Sequence, residues 1–83
     1  MSVSNQDIFW CWEQAKVIPG SSPFEWRLDP YGWFIRRQEY GQLSEFGWEI
    51  DHRVPKASGG TDSLRNLQAM HWKNNRAKGA RVF

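Results

Sequence analysis

Apolar residues recur at helical spacing near the N-terminus. Ile8, Cys11, Trp12 and Ala15 fall on one side of a 3.6-residue repeat, which predicts an amphipathic helix over residues 5–17. Ser4 or Asn5 can cap it, and Asp7 places an acid in its first turn. Pro19-Gly20, with Ser21, Ser22 and Pro23, ends it in a loop. The pattern then turns extended and short. Residues 24–28 and Trp33 to Arg37 are predicted strands, joined by Asp29-Pro30-Tyr31-Gly32, whose Pro second and Gly fourth suit a type I turn. Tyr40-Gly41 and Phe46-Gly47 bound another loop, so 24–47 is a region of short strands and loops.

From Trp48 to Val54 the chain alternates only loosely, with Trp48, Ile50 and His52 on one face and Glu49, Asp51 and Arg53 on the other, and reads as a strand. Pro55 to Asp62 is a loop that turns at Gly59-Gly60. Asn66 to Met70 is predicted to return as an antiparallel strand. His71 to Lys78 is helix-compatible, with Gly79 as its C-cap. The order over 48–79 is strand, long loop, strand, helix. The fold class is α+β, and 83 residues are enough for one small domain over 1–83.

A core this small needs reinforcement. Cys11 is the only cysteine, which excludes an intramolecular disulfide and a structural zinc site built on cysteine pairs. Six Trp, five Phe and two Tyr supply bulk instead, and core filling is the ordinary use of most of them. No apolar run approaches the roughly 20 residues of a membrane span, and the polar start from Met1 to Asp7 is unlike a signal peptide. With a lone thiol, these features point to a cytoplasmic protein without a membrane partner.

The net charge of +2 conceals an asymmetry. Residues 1–50 carry four bases against seven acids. Residues 51–83 carry seven bases (Arg53, Lys56, Arg65, Lys73, Arg76, Lys78 and Arg81) against Asp51 and Asp62. A basic segment of this kind suits a polyanion.

That segment also concentrates chemistry. It reads Asp51-His52-Arg53-Val54-Pro55, then Gly59-Gly60, Asn66-Leu67 and Asn75-Arg76-Ala77-Lys78. Phosphodiester hydrolysis needs a base that works near neutral pH, for which His is the best-suited side chain. It also needs a cation for the charge that develops on phosphate. A hard divalent metal such as Mg²⁺ suits that task and prefers the oxygens of Asp and Asn. Asp51 and His52 point to opposite faces of their strand. A shared site then requires His52 to aim at the water while Asp51 reaches the metal from the strand's edge.

Asp-His-x-x-Pro, Gly-Gly, Asn-Leu and Asn-x-x-Lys at these spacings resemble the HNH endonucleases, a family with a ββα-metal fold. The resemblance covers residues 48–79. It implies a ββα-metal finger preceded by the N-terminal helix and short β segment. It implies His52 as general base, polarised by a backbone carbonyl on its other nitrogen, with Asp51 and Asn75 as metal ligands. Asn66 would brace the long loop and so aim His52, completing the catalytic set of His52 and Asn66. Many family members also carry two Cys-x-x-Cys pairs that hold zinc. Here His71 and Asn74 stand where the second pair would be, so the resemblance is to a zinc-free variant in which tryptophans replace the staple.

The implied activity is endonucleolytic hydrolysis of DNA, of low intrinsic sequence specificity, leaving 3′-hydroxyl and 5′-phosphate ends. It would use one divalent cation, with Mg²⁺ favoured over Mn²⁺ or another ion, and act on double-stranded DNA by nicking or double-strand cleavage, as monomer or dimer. Arg53, Lys56, Lys73, Arg76 and Lys78 are candidate phosphate contacts, which position a substrate without reading its sequence. His71 is an extra ligand or phosphate contact, or else a histidine satisfied by local hydrogen bonds. The rival function is a catalytically weak DNA-binding or phage-packaging accessory protein that acts with a partner such as a terminase.

Overall fold

A computed structural model describes residues 3–79. Its element order is α1 (Asn5–Gln14), β1 (Lys16–Val17), β2 (Trp26–Leu28), β3 (Phe34–Arg36), β4 (Trp48–His52), β5 (Leu67–His71) and α2 (Trp72–Lys78). Single 3-10 turns occupy Arg37–Glu39, Lys56–Ser58 and Leu64–Asn66. The α+β class and the strand–loop–strand–helix order of the C-terminal half are as the sequence predicts. Arg81, counted above in the basic segment, lies outside the described residues.

The N-terminal helix starts where expected. Ser4 Oγ accepts from the Asp7 N–H and Asp7 Oδ2 accepts from the Ser4 N–H, both at 3.1 Å, in a reciprocal capping box. Its end corrects the prediction of 5–17. The helix stops at Gln14, and Lys16 and Val17 pair antiparallel with Leu28 and Arg27. The cause is Arg27, a buried guanidinium that donates to the carbonyls of Glu13 at 3.1 Å and Ala15 at 3.0 Å. These oxygens are left without intrahelical partners at a helix end, and a cation there also meets the negative end of the helix dipole. β1, β2 and β3 form a three-stranded antiparallel sheet.

β4 and β5 form a separate two-stranded hairpin, with Asp51 opposite Gln68 and His52 opposite Leu67. Both strands are offset from prediction by a residue or two. β4 ends at His52 because Arg53 and Val54 turn their N–H groups to Asn66, onto its carbonyl and its side-chain Oδ1. Asn66 therefore belongs to the preceding 3-10 turn rather than to the strand. His71 closes β5 and caps α2, its Nδ1 accepting from the Lys73 N–H.

The hairpin is covered on both faces. Trp48, Leu67 and Ala69 join Cys11, Trp12 and Ile35 in the core, with Ile50 and Ile8 packed around them. On the opposite face, α2 lies over Glu49 and Asp51, which receive Asn75 and Lys78. The tryptophans do more than fill space. The indole N–H of Trp10 reaches Leu64 O, that of Trp12 reaches Pro23 O, that of Trp48 reaches Arg36 O and that of Trp72 reaches Ser44 O. Each ring thus ties together segments distant in sequence, satisfying its own polar group as it packs. Trp33, by contrast, is exposed.

Asp29 fastens the two sheets together. Its Oδ1 accepts from the N–H groups of Tyr31 and Trp33, closing the turn before β3. Its Oδ2 accepts from the His71 N–H and Asn74 Nδ2 at the start of α2. Among the described residues no helix is long and apolar enough to cross a membrane.

Candidate active site

His52 ends β4 and is half-buried. Its Nε2 lies 2.8 Å from Oδ1 of Asp62, whose Oδ2 is 2.8 Å from the ammonium of Lys56. The resemblance leads one to expect a backbone carbonyl at the second nitrogen of His52; the structure puts a carboxylate there. Lys56 first, and His52 second, hold the Asp62 carboxyl below the ordinary carboxylate range by hydrogen bonding to its charged form. Asp62 carries no recognisable signal in the sequence beyond following the Gly-Gly turn. Its partnership depends on how the loop folds back over ten residues.

Asn66 organises that loop. Its Oδ1 accepts from Val54 N–H at 2.9 Å, and its Nδ2 donates to Val54 O at 3.0 Å and Thr61 O at 2.8 Å. The side chain therefore ties together the residues two after His52 and one before Asp62. Gly60 permits the close return: a Cβ there would collide with the carbonyl oxygen of Val54. Gly59 adopts φ 90°, a left-handed conformation suited to glycine.

Asp51 faces the other way, as strand alternation requires, and is buried under α2. Oδ1 accepts from Lys78 Nζ at 3.1 Å and Oδ2 from Gln68 Nε2 at 2.8 Å. The same ammonium donates to the carbonyl of His52 at 2.8 Å. Lys78 is itself 2 % exposed. Its expected role as a phosphate contact is thus corrected: its methylenes and charge are enclosed, and it clamps the end of α2 to the end of β4. Asn75 lies one turn earlier on α2 and donates from Nδ2 to Glu49 Oε1 at 3.0 Å; Arg76 meets the other oxygen at 3.3 Å. Glu49 is a site residue the sequence reading passed over. The available signal was its position two residues before Asp51, on the same face of the strand.

Asp51, Asn75 and Glu49 consequently present oxygen-bearing groups on one face of the hairpin. Gln68 adds Oε1, a buried acceptor with no donor, while its Nε2 is spent on Asp51. Among the described residues no three His, Cys, Asp or Glu side chains converge as a metal cluster. This donor set fits a hard divalent ion of the kind that takes one or two carboxylates and completes its shell with water and phosphate. It does not fit a cage made wholly of protein.

His71 is not part of this face. It is buried, with Nδ1 accepting from Lys73 N–H and Nε2 2.7 Å from Glu45 O. Both nitrogens are used locally, so the extra-ligand reading of His71 is corrected in favour of its alternative. Arg53, Lys56, Lys73 and Arg76 are exposed. Lys73 and Arg76 both lie over the Trp72 ring, and Lys56 and Arg76 also pair with acids.

The HNH endonuclease family model matches residues 41–81. No curated protein and no solved structure matches the chain. The match spans both hairpin strands, the intervening loop and α2, and so takes in every residue placed at the site above. Over residues 41–81 the chain carries an HNH endonuclease domain.

Proposed function

We propose that the chain is a metal-dependent endonuclease that hydrolyses DNA phosphodiester bonds with little sequence selectivity, leaving 3′-hydroxyl and 5′-phosphate ends. The observation that carries this reading is the half-exposed His52 at the end of β4, next to Asp51 and within the matched domain. His52 is the general base that accepts a proton from the attacking water. Asp51 and Asn75 hold the divalent ion, with Glu49 beside Asn75. When bound, that ion supplies positive charge to the scissile phosphate and the leaving oxygen. Asn66 fixes the loop that approaches His52. Arg53, Lys56, Lys73 and Arg76 attract and register the phosphate backbone, a contribution that weakens with salt.

A plasmid-nicking assay across Mg²⁺, Mn²⁺ and EDTA tests the reading. Nicking with a divalent ion and its loss in EDTA are expected; supercoiled plasmid that stays intact with every ion sinks it. Parallel duplex DNA and RNA substrates decide the polymer.

One observation favours a second reading. The Lys78 ammonium neutralises Asp51, which weakens the carboxylate as a ligand. A catalytically weak accessory protein, acting beside a partner such as a phage-packaging terminase, would show nicking only when that partner is added.

A further inference from the structure

We propose that Asp62 is the positioning residue that sets the ring orientation and tautomer of His52. The inference rests on the reading of His52 as a base and extends it by one residue. An ionised carboxylate accepts hydrogen bonds and donates none. With Asp62 Oδ1 2.8 Å from Nε2, the neutral ring carries its proton on Nε2 and its lone pair on Nδ1. Nδ1 is then the nitrogen that receives a proton from water. Without that partner the ring would be free to spin and to divide its proton between the two nitrogens.

The loop is built to keep Asp62 in place. Asn66 Nδ2 grips the carbonyl of Thr61, the residue before Asp62, and both polar atoms of Asn66 grip Val54 on the other limb. Lys56 holds the second oxygen of Asp62 from within the same loop, at 2.8 Å. The carboxylate is fixed from its backbone side and from its far oxygen, leaving one oxygen to face His52. Stability does not explain the arrangement, because Asp62 and Lys56 are solvent-exposed and such pairs contribute little to folding. A carboxylate that orients a histidine through its remote nitrogen is a recurrent device where the near nitrogen must react.

The chain has two histidines, which makes the test direct. His71 donates from Nε2 to Glu45 O and accepts at Nδ1, so its tautomer is fixed independently of Asp62. Long-range ¹H–¹⁵N spectra of metal-free, histidine-labelled protein at about pH 8, above the ordinary imidazole pKa, report both rings. His52→Ala assigns the signals. In the wild-type chain His52 should show Nε2 protonated. In Asp62→Ala its signals should move to a tautomer average while those of His71 stay, which also shows that the fold is intact. Asp62→Asn keeps an acceptor oxygen and should restore the wild-type pattern. A His52 spectrum that is unchanged in Asp62→Ala overturns the proposal, as does a wild-type ring protonated on Nδ1.

Kinetics supply a second arm. Asp62→Ala should lower kcat about 10–100-fold with KM little changed, and Asp62→Asn should recover part of the loss. Unchanged kcat in Asp62→Ala overturns the proposal. The two readings fail separately. Wild-type protein that leaves plasmid intact, while its His52 tautomer follows Asp62, removes the nuclease and keeps the positioning. An active nuclease whose His52 ignores Asp62 does the reverse.

Discussion

Asp51 and His52 are neighbours in sequence and opposites in environment. Asp51 lies under α2, 7 % exposed, with both oxygens bonded to buried or half-buried partners. His52 stands at the mouth of a polar loop, its ring turned toward the exposed Asp62. A strand delivers this division without any special device, because consecutive side chains leave on opposite faces. It lets one dipeptide contribute to an enclosed electrostatic centre and to a partly solvent-accessible imidazole. The carbonyl of His52 joins the two sides, since Lys78 bonds it and Asp51 with the same ammonium.

Removing each side should therefore fail in a different way. His52→Ala should lower the cleavage rate roughly 10²–10⁴-fold, the usual worth of a general base, with little change in thermal midpoint. A variant that cuts at the wild-type rate removes His52 from the mechanism. Lys78→Met should do the opposite to stability. It leaves a buried carboxylate without its counter-charge, a loss of about 3–5 kcal/mol that urea unfolding would measure. It should also make Mn²⁺ stabilise the chain more than it stabilises wild type, because Asp51 then lacks a competing cation. Equal thermal shifts on Mn²⁺ addition would count against Asp51 as a ligand.

The contrast also separates what was legible in the sequence from what was not. The ββα order was legible because it rests on local signals: alternation from Trp48, the Gly59-Gly60 turn, Gly79 as a cap. The bracing role of Asn66 came from the family resemblance rather than from spacing, and its bonds to Val54 and Thr61 are consistent with it. The short strand at Lys16–Val17 was not legible, because it depends on Arg27, eleven residues later, satisfying the helix end. The burial of Lys78 was equally hidden. A lysine near a helix end is ordinarily solvated, and only the placement of α2 over Asp51 encloses it. Asp62 and Glu49 were missed for a related reason: their partners His52 and Asn75 are set by tertiary geometry that spacing does not encode.

Asn66 lies between the two regimes and should show a mixed effect. Asn66→Ala strips acceptors and donors from Val54 and Thr61 at once, leaving backbone groups of the loop to water or to no partner. A destabilisation of about 1–3 kcal/mol is expected in urea, smaller than for Lys78→Met because the site is only half-buried. Activity should fall beyond what the unfolded fraction explains, since the loop that carries Asp62 loses its anchor. Asn66→Asp retains the acceptor for Val54 N–H and loses both donated bonds, one on each limb, so it separates the accepted bond from the donated pair.

The smallest effect comes from the core face, where Cys11 reports on how dry α1 packing is. Burial first, and Asp7 second, push its thiol up from 9.0 to about 12, while Arg53 opposes them. The folded chain then keeps this proton at pH values where the unfolded chain has lost it. Its contribution to stability is whole below pH 9 and declines as pH rises from 9 toward 12. Between pH 9 and 10 the loss should reach about 1 kcal/mol, before Tyr40, also raised by burial, adds its own. Cys11→Ala should flatten that part of the profile while leaving His52-dependent cleavage at neutral pH untouched. A Cys11 that reacts with iodoacetamide at neutral pH as fast as a free thiol would show that the core face opens, and that the division between the two sides of the hairpin is less strict than its hydrogen bonds imply.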